Sequence, residues 1–391
     1  MKTVVTMPGD GIGKVVLPEA IRVLDRVGFK ADYVHGDIGW DCWCNQGNAF
    51  PKETIELLAK HRIGLFGAIT SKPKDKAQSE LKPELQDKGY VYYSPIVTMR
   101  QHFNLDICIR PCIAFPGNPL NFIRKEGQGF IEPKVDVIIF RQNTECLYAG
   151  VEWTDPPDKV MEGLNTHPKM KNFKDVPRED LAISCRIFTR QACRRIITAA
   201  FEHAKKYGYK SVSVCEKPNV VRETSGMMLS EAKKIAKDYP GISVWDVNID
   251  AMMMWLTKNP DNYGVIVAGN MFGDIVSDGF AGLVGGLGFA CSANIGKDIA
   301  VFEPTHGSAP KYEKLDPPIV NPIAMILSAC MMLDYLEEKE KAEKIRKAIS
   351  EVVKEGKVRT YDMMRLKGGS DVFTSGAVNT KEMTDAIIEK L

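Results

Sequence analysis

Residues 1–28, MKTVVTMPGDGIGKVVLPEAIRVLDRVG, carry the reading on which the fold class rests. The apolar run Val4 to Met7 stops at Pro8 and a glycine turn, and Val15 to Val27 then places apolar residues at helical spacing as far as Gly28. This is a strand, a loop and a helix. The pattern returns with the β-rich runs IGLFGAIT (63–70), LDICIRP (105–111), VDVIIF (135–140), SVSVC (211–215), ISVWDV (242–247) and YGVIVAG (263–269). Short β-rich runs alternating with amphipathic stretches are what parallel strands joined by crossover helices produce, so an α/β fold is expected.

The chain has 391 residues, of which 44% are hydrophobic, enough to fill the cores of two or three domains and to exclude a disordered or fibrous protein. Lys plus Arg number 52 against 50 for Asp plus Glu, a balance that argues against nucleic-acid or membrane-surface partners, which need a concentrated basic face. A small molecule or a second copy of the chain is the expected partner. The ten cysteines include no CxxC pair, and Cys42 and Cys44 are read as pointing to opposite faces of an extended segment. Reduced thiols in the cytoplasm are the expected state. The amino terminus has no feature of a secretory signal. Residues 279–296 lack charge but hold six glycines plus Ser292 and Asn294, and are read as a core segment rather than a membrane span.

Two stretches depart from the alternation, and a long helix lies toward the carboxy terminus. Lys72 to Lys88 is polar and carries two prolines, and is read as an exposed loop or short helix inserted before a site strand. Trp153 to Arg178 sustains neither period and reads as a projecting arm that contacts another subunit. Leu333 to Val353 reads as one long amphipathic helix.

Four groups of residues carry chemistry. Arg100, Arg110 and Arg141 are placed at or near strand ends, where convergent guanidiniums would pair with several carboxylates. Asp274 and Asp278 are four apart at the start of a predicted helix, so both carboxylates face one way, and Asp250 directly follows a strand. Oxygen-only ligands favour Mg²⁺ or Mn²⁺. Lys217, immediately after a buried strand, is a candidate general base and Tyr148 a candidate acid. In FEPTHGSAPKY, His306 leads a loop whose amides at Gly307 and Ser308 would approach a nucleotide phosphate, with Lys311 and Tyr312 placed for a further one. No GxGxxG follows a strand with an acid about 20 residues on, so the Rossmann fingerprint is missing.

GDGIG, MRQHFNLDICIRP, IIFRQNTECLYAGVEW, GDIVSDGFAGLVGGLG, EPTHGSAP and NPIAMILSACMMLDYL together resemble the β-decarboxylating dehydrogenases, the family of isocitrate, isopropylmalate, homoisocitrate and tartrate dehydrogenases, and they do so nearly end to end. The resemblance implies a two-domain, non-Rossmann α/β fold with a clasp. It divides the chain into a large coenzyme domain (1–105 and 285–391), a small domain with a dimer interface (106–145 and 191–284) and a clasp (146–190).

The resemblance further implies that Arg100, Arg110 and Arg141, with Ser94 and Asn219, bind the substrate, that Asp250, Asp274 and Asp278 hold Mg²⁺ or Mn²⁺, and that Tyr148 and Lys217 are the acid–base pair. Lys217, Asn219 and one metal aspartate would serve the site of a second subunit in a homodimer. His306, Gly307, Ser308, Ala309 and Asn321 would line the coenzyme site, and Lys311, Tyr312, Tyr361 and Arg365 would favour NADP over NAD. NADP-linked oxidation of isocitrate with loss of CO₂ is the expected activity. Ile96, where isocitrate enzymes carry asparagine, keeps homoisocitrate and 3-isopropylmalate as alternatives, with Lys72 as a replacement contact. A regulatory subunit without turnover is disfavoured by the complete residue set.

Overall fold

The computed structural model describes residues 2–391, so Met1, with which the quoted amino-terminal stretch begins, lies outside the described residues. In chain order the first strands are β1 (Lys2–Gly9), β2 (Ala31–His35), β3 (Ile63–Ala68) and β4 (Ile107–Ile113). A ribbon of β5 (Arg124–Glu126) and β6 (Gly129–Ile131) precedes β7 (Asp136–Gln142), and a second ribbon pairs β8 (Glu152–Thr154) with β9 (Ala182–Ser184). Then come β10 (Ser211–Glu216), β11 (Ser243–Asn248), β12 (Val265–Ala268), β13 (Cys291–Ile295) and β14 (Ala300–Pro304).

Ten of these strands form one sheet in the order β11-β10-β12-β7-β4-β13-β14-β3-β1-β2. Its two flanks, β11-β10-β12-β7 and β14-β3-β1-β2, are parallel throughout, as the alternation of strands and helices predicts. The centre is different: β7 with β4, β4 with β13 and β13 with β14 are antiparallel. Connection length explains the departure. Only Gly296–Ile299 separates β13 from β14, and a ribbon rather than a crossover helix separates β4 from β7, so each pair folds back on itself.

Helices cover both flanks. The helix Gly13–Arg26 buries Val16, Leu17, Ala20, Val23 and Leu24, the stripe visible in the sequence, against the apolar cluster that includes Phe302, Ile326 and Leu333. The segment 279–296 is indeed interior, with Phe280, Phe289 and Ala293 buried. No helix among the described residues is long and apolar enough to cross a membrane.

Several sequence expectations are corrected. The helix predicted over Leu333 to Val353 is two helices, Ile323–Tyr335 and Lys339–Glu355, because Glu337 adopts a left-handed φ of 62° between them. Arg100 lies inside the helix Pro95–His102 and not at a strand end, since Ser94-Pro95 starts a helix with proline in its first turn. Cys42 and Cys44 sit on the helix Trp40–Gln46 rather than an extended strand.

The insert at Lys72 to Lys88 forms the helix Lys74–Ser79 and a short turn, Pro83–Leu85, and leads to a helix instead of a strand. It is anchored: Ala77 and Leu81 are buried against Trp40 and Trp43. The arm from Trp153 to Arg178 is largely exposed but not structureless, with β8 at its base and a helix, Asp158–Asn165.

Candidate active site

The antiparallel centre of the sheet assembles the site. Along β4 the side chains of Cys108, Arg110 and Cys112 alternate onto one buried face. Register places Arg141 of β7 opposite Cys108, Asn294 of β13 opposite Cys108 from the other side, and Glu303 of β14 opposite Ser292. Arg110, Arg141, Asn294 and Glu303 therefore share a face. Arg110 is in mid-strand, where its apolar run seemed to end, because β4 continues through Pro111. Beyond Ile109 the strand is paired on one side only, which tolerates the proline.

The helix Asn270–Leu283 lies over this face and turns Asn270, Asp274, Ser277 and Asp278 toward it. Arg110 Nη1 donates to Asp274 Oδ1 at 3.0 Å and to Ser277 Oγ at 2.8 Å, and lies 3.5 Å from Asp278. Arg141 Nε donates to Asn270 Oδ1 at 2.9 Å while its Nη1 donates to Asp274. The Tyr148 hydroxyl donates to Asp274 Oδ2 at 3.3 Å, and the Arg141 guanidinium lies 5.7 Å from the centre of the tyrosine ring. Arg100 Nη2 donates to Glu303 at 2.8 Å, and Asn294 donates to the same carboxylate at 2.7 Å.

Electrostatics follow from this crowding. Burial works against ionisation of Asp274, but Arg141, Arg110 and Arg100 prevail and hold it below the usual carboxylate range. Burial, with Arg110 and Arg100 nearby, draws Arg141 down to about 10. Asp278 is pushed up by burial, which Arg110 only partly offsets. Burial and then Asp274 push the Tyr148 phenol up. Arg100 Nε and Arg110 Nε are buried donors with no protein acceptor, so the arginine cluster carries hydrogen-bonding capacity that the protein itself does not use. Asp274 and Asp278 present only oxygen donors, and their side chains keep 33% and 62% exposure, a donor set whose chemistry suits a hard divalent cation.

Lys217 and Asp250 come together elsewhere. β10 and β11 are parallel with Glu216 opposite Asn248, so Lys217 and Asp250 leave the sheet at the same end, and Lys217 Nζ donates to the Asp250 carboxylate. Asn219 is exposed in the turn that follows. Asp250 thus pairs with Lys217 instead of joining Asp274 and Asp278, and among the described residues no three His, Cys, Asp or Glu side chains gather as metal ligands.

A third group surrounds the loop after β14. The glycine-rich turn after β1 packs on this loop: Ile12 N donates to Ser308 O at 2.8 Å, and Ser308 Oγ lies 2.6 Å from Thr70 Oγ1. The turn's glycines are packed against protein backbone: a Cβ on Gly9, Gly11 or Gly13 would meet the carbonyl oxygen of Ala68, Ser308 or Pro8. His306 Nδ1 is 3.0 Å from Gly307 O, its Nε2 is buried without a partner, and burial pulls the imidazole pKa down. Ala309 takes a left-handed φ of 39°. Lys311 Nζ lies 4.6 Å from the Tyr312 ring centre, and the rings of Tyr312 and Tyr361 meet edge-on at 5.5 Å. Asn321 donates to Asp362, next to Tyr361, at 3.1 Å, and Arg365 reaches Pro119 O at 3.5 Å. Lys311, Tyr312 and Tyr361 are brought together on one side of this loop.

Ser94 caps the helix Pro95–His102 through its carbonyl, and Ile96 packs into the apolar cluster of Met99 and Leu105. Lys72 donates to Glu80 and lies 5.0 Å from the Trp40 ring. Sequence reasoning missed Glu303, Asn294 and Asn270, although an acid at the end of the apolar run Ala300–Phe302 was a signal for the first.

Comparison with known proteins gives a consistent result. A family model described as isocitrate/isopropylmalate dehydrogenase matches residues 3–387. Homoisocitrate dehydrogenase of Methanocaldococcus jannaschii is 39% identical over 388 residues, covering 99% of this chain and 97% of its own. A 3-isopropylmalate dehydrogenase of Archaeoglobus fulgidus is 38% identical, covering 93% of this chain and 94% of its own. Against a further curated relative, protein DlpA of Legionella pneumophila, the identity is 35% and the chain spans 58% of that protein's length. The crystal structure of isocitrate dehydrogenase from Methylococcus capsulatus matches with a TM-score of 0.81 at 32% identity, covering 100% of this chain and 99% of that one.

Proposed function

The chain belongs to the isocitrate/isopropylmalate dehydrogenase family, and on that premise we propose that it oxidises and decarboxylates isocitrate to 2-oxoglutarate and CO₂ with NADP. The observation that carries this reading is Asp274, which accepts from Arg110, Arg141 and Tyr148 beside two unpartnered guanidinium nitrogens. Such a pocket suits a polycarboxylate next to a cation.

In this reading Arg100, Arg110 and Arg141 pair with the substrate carboxylates and fix its orientation. Asp274 and Asp278, with Asp250 of a second copy, hold Mg²⁺ or Mn²⁺. The bound cation supplies Lewis-acid polarisation of the substrate's C2 oxygen, and NADP supplies the hydride acceptor. Lys217 takes the proton of the C2 hydroxyl, and Tyr148 delivers a proton to the carbon from which CO₂ has left. Lys311, Tyr312, Tyr361 and Arg365 select the 2′-phosphate of NADP. His306, Gly307, Ser308, Ala309 and Asn321 hold the rest of the coenzyme.

A homodimer is part of the proposal. Its support is the separation of Lys217 and Asp250 from Asp274, together with the exposed apolar side chains of Val220, Met254 and Trp255 near them in sequence. Lys217, Asn219 and Asp250 would then complete the partner's site. The division into a coenzyme domain (1–105, 285–391), a small domain (106–145, 191–284) and a clasp (146–190) belongs to the same reading. It is supported by separate apolar clusters drawn from the first two groups of residues.

Ile96 favours a second reading, in which homoisocitrate or 3-isopropylmalate is the substrate, since it offers an apolar side chain where isocitrate needs a polar partner for its third carboxylate. A panel of isocitrate, homoisocitrate, 3-isopropylmalate, malate and tartrate with both coenzymes and Mg²⁺ separates the two. The highest kcat/KM with isocitrate and NADP supports the first, and any other maximum removes it. Mixing Lys217→Met with Tyr148→Phe subunits tests the dimer: shared sites regain activity on subunit exchange, and self-contained sites stay inactive.

A further inference from the structure

Glu216, the last residue of β10, is an acid with its side chain only 1% exposed, and it points away from the following Lys217. Both of its oxygens accept hydrogen bonds. Oε2 accepts from Arg186 Nη2 at 2.8 Å and from Ser225 Oγ at 2.6 Å, while Oε1 accepts from the Gly269 amide at 2.7 Å. Gly269 caps the helix Asn270–Leu283, so the carboxylate fixes the start of the element that carries Asp274 and Asp278. A Cβ on Gly269 would meet Glu216 Oε1 at 2.7 Å, so the approach is as close as the backbone allows.

Arg186 extends the contact in two further directions. Its Nη1 donates to Ser225 Oγ at 2.8 Å, and that hydroxyl also accepts from the Lys217 amide at 3.3 Å. Its Nε donates to Cys146 Sγ at 3.3 Å, two residues before Tyr148. Cys146 holds a left-handed φ of 73° as the chain turns into Leu147–Ala149, and its amide donates to Ile187 O at 2.8 Å. The guanidinium is wedged between the rings of Phe188 and Phe272, at 4.6 and 4.7 Å from their centres. It is therefore held in one orientation.

We infer that Arg186 and Glu216 are a pair of positioning residues that set the placement of Tyr148, Lys217 and the Asp274 helix relative to one another. The inference rests on the proposed roles of Tyr148 and Lys217 and deepens them. Neither side chain of the pair faces the arginine cluster. Their influence passes through the Lys217 amide, the Gly269 cap and the Cys146 turn. In a dimer with shared sites, Tyr148 acts in its own subunit's site and Lys217 in the partner's, so one buried pair aligns groups in both.

Purified full-length dimer carrying Arg186→Met tests this with isocitrate, NADP and Mg²⁺. Misplacing a proton-transfer group by about 1 Å lowers turnover roughly 100-fold. The expected result is a fall in kcat of about 10- to 100-fold, with the KM for isocitrate changing much less than kcat because neither side chain contacts the substrate arginines directly. Arg186→Lys, which keeps the charge between the two rings, should recover part of the loss. Ser225→Ala removes the hydroxyl that joins Glu216 to the Lys217 amide at little change in volume, and should show the same split if Arg186→Met does not fold. Native kcat in a folded Arg186→Met or Ser225→Ala dimer overturns the inference, as does a rise in KM without a fall in kcat. Lys217→Met and Tyr148→Phe run beside them keep the two levels apart. If those two retain turnover the proposed chemistry is wrong, and if they alone lose it only the positioning role fails.

Discussion

Gly11 meets Ser308 so closely that a Cβ on the glycine would lie 2.1 Å from the serine's carbonyl oxygen. With φ at +53°, Gly11 also occupies a conformation that other residues adopt at a penalty. The substitution Gly11→Ala is expected to lower stability by about 1–3 kcal/mol. Because the strain falls on the loop bearing His306 and Ser308, the KM for NADP should rise more than the KM for isocitrate. Thermal melts and separate KM measurements check both effects, and a selective rise for isocitrate would show that the loop does not hold the coenzyme.

Asp278 lies 3.5 Å from Arg110, but burial outweighs that neighbouring charge and pushes its carboxyl up, and in the proposed function it is a ligand of the divalent cation. Asp278→Asn should raise the Mg²⁺ concentration giving half-maximal activity by at least about tenfold. Chelation of the native enzyme should abolish turnover until Mn²⁺ or Mg²⁺ is restored. Mn²⁺ titration followed by electron paramagnetic resonance reads the affinity directly, and equal binding by both proteins would remove Asp278 from the ligand set.

Lys311 stands over Tyr312, whose ring meets Tyr361. If Lys311 meets the 2′-phosphate as proposed, Lys311→Asp exchanges an attractive charge for a repulsive one there and offers a carboxylate to the ribose hydroxyls of NAD. The ratio of kcat/KM for NADP to that for NAD should fall roughly 100-fold. An unchanged ratio would place the phosphate elsewhere.

His203 lies among Phe140, Tyr207 and Tyr209, and burial brings its pKa down to about 4. The unfolded chain takes up this proton as pH falls below about 6.5, whereas the folded chain resists until about 4, so stability is lost across that window as the solution is acidified. The contribution is at most about 3 kcal/mol. Urea unfolding at pH 7.5 and 4.5 should show a larger drop for the native protein than for His203→Phe. Equal drops would mean that the imidazole is not protected.

Much of this was legible in the sequence because it depends on local pattern. Val16, Leu17, Ala20, Val23 and Leu24 form a stripe that any partner surface would bury, and Lys217 and Asp250 follow strands whose ends are marked by loss of apolar residues. The central seam was not legible, since strand direction is set by connections, and β4 reads like any crossover strand until its return through the β5–β6 ribbon is seen. Glu337 broke a helix whose apolar spacing ran across the gap, because a single left-handed residue leaves little trace in periodicity. Arg100, Arg110 and Arg141 were recognisable as a set, but Asp274, which joins Arg110 to Arg141, and Glu303, which holds Arg100, needed the register of four strands and the helix laid over them. Arg186 and Glu216 left no signal beyond an acid beside a lysine.

The strand order has a bearing on synthesis. β3 pairs with β14, so Ile63 waits for Ala300 before its flank of the sheet is complete, and the apolar cluster on the Gly13–Arg26 helix draws on residues as late as Ile387. On a ribosome adding about 5–20 residues per second, the first flank stays open for many seconds while the other flank, whose strands lie within residues 136–268, is already fully emerged. The flank built from residues 136–268 is thus the first whose strands are all present during synthesis, and the flank that begins the chain is the last to be completed.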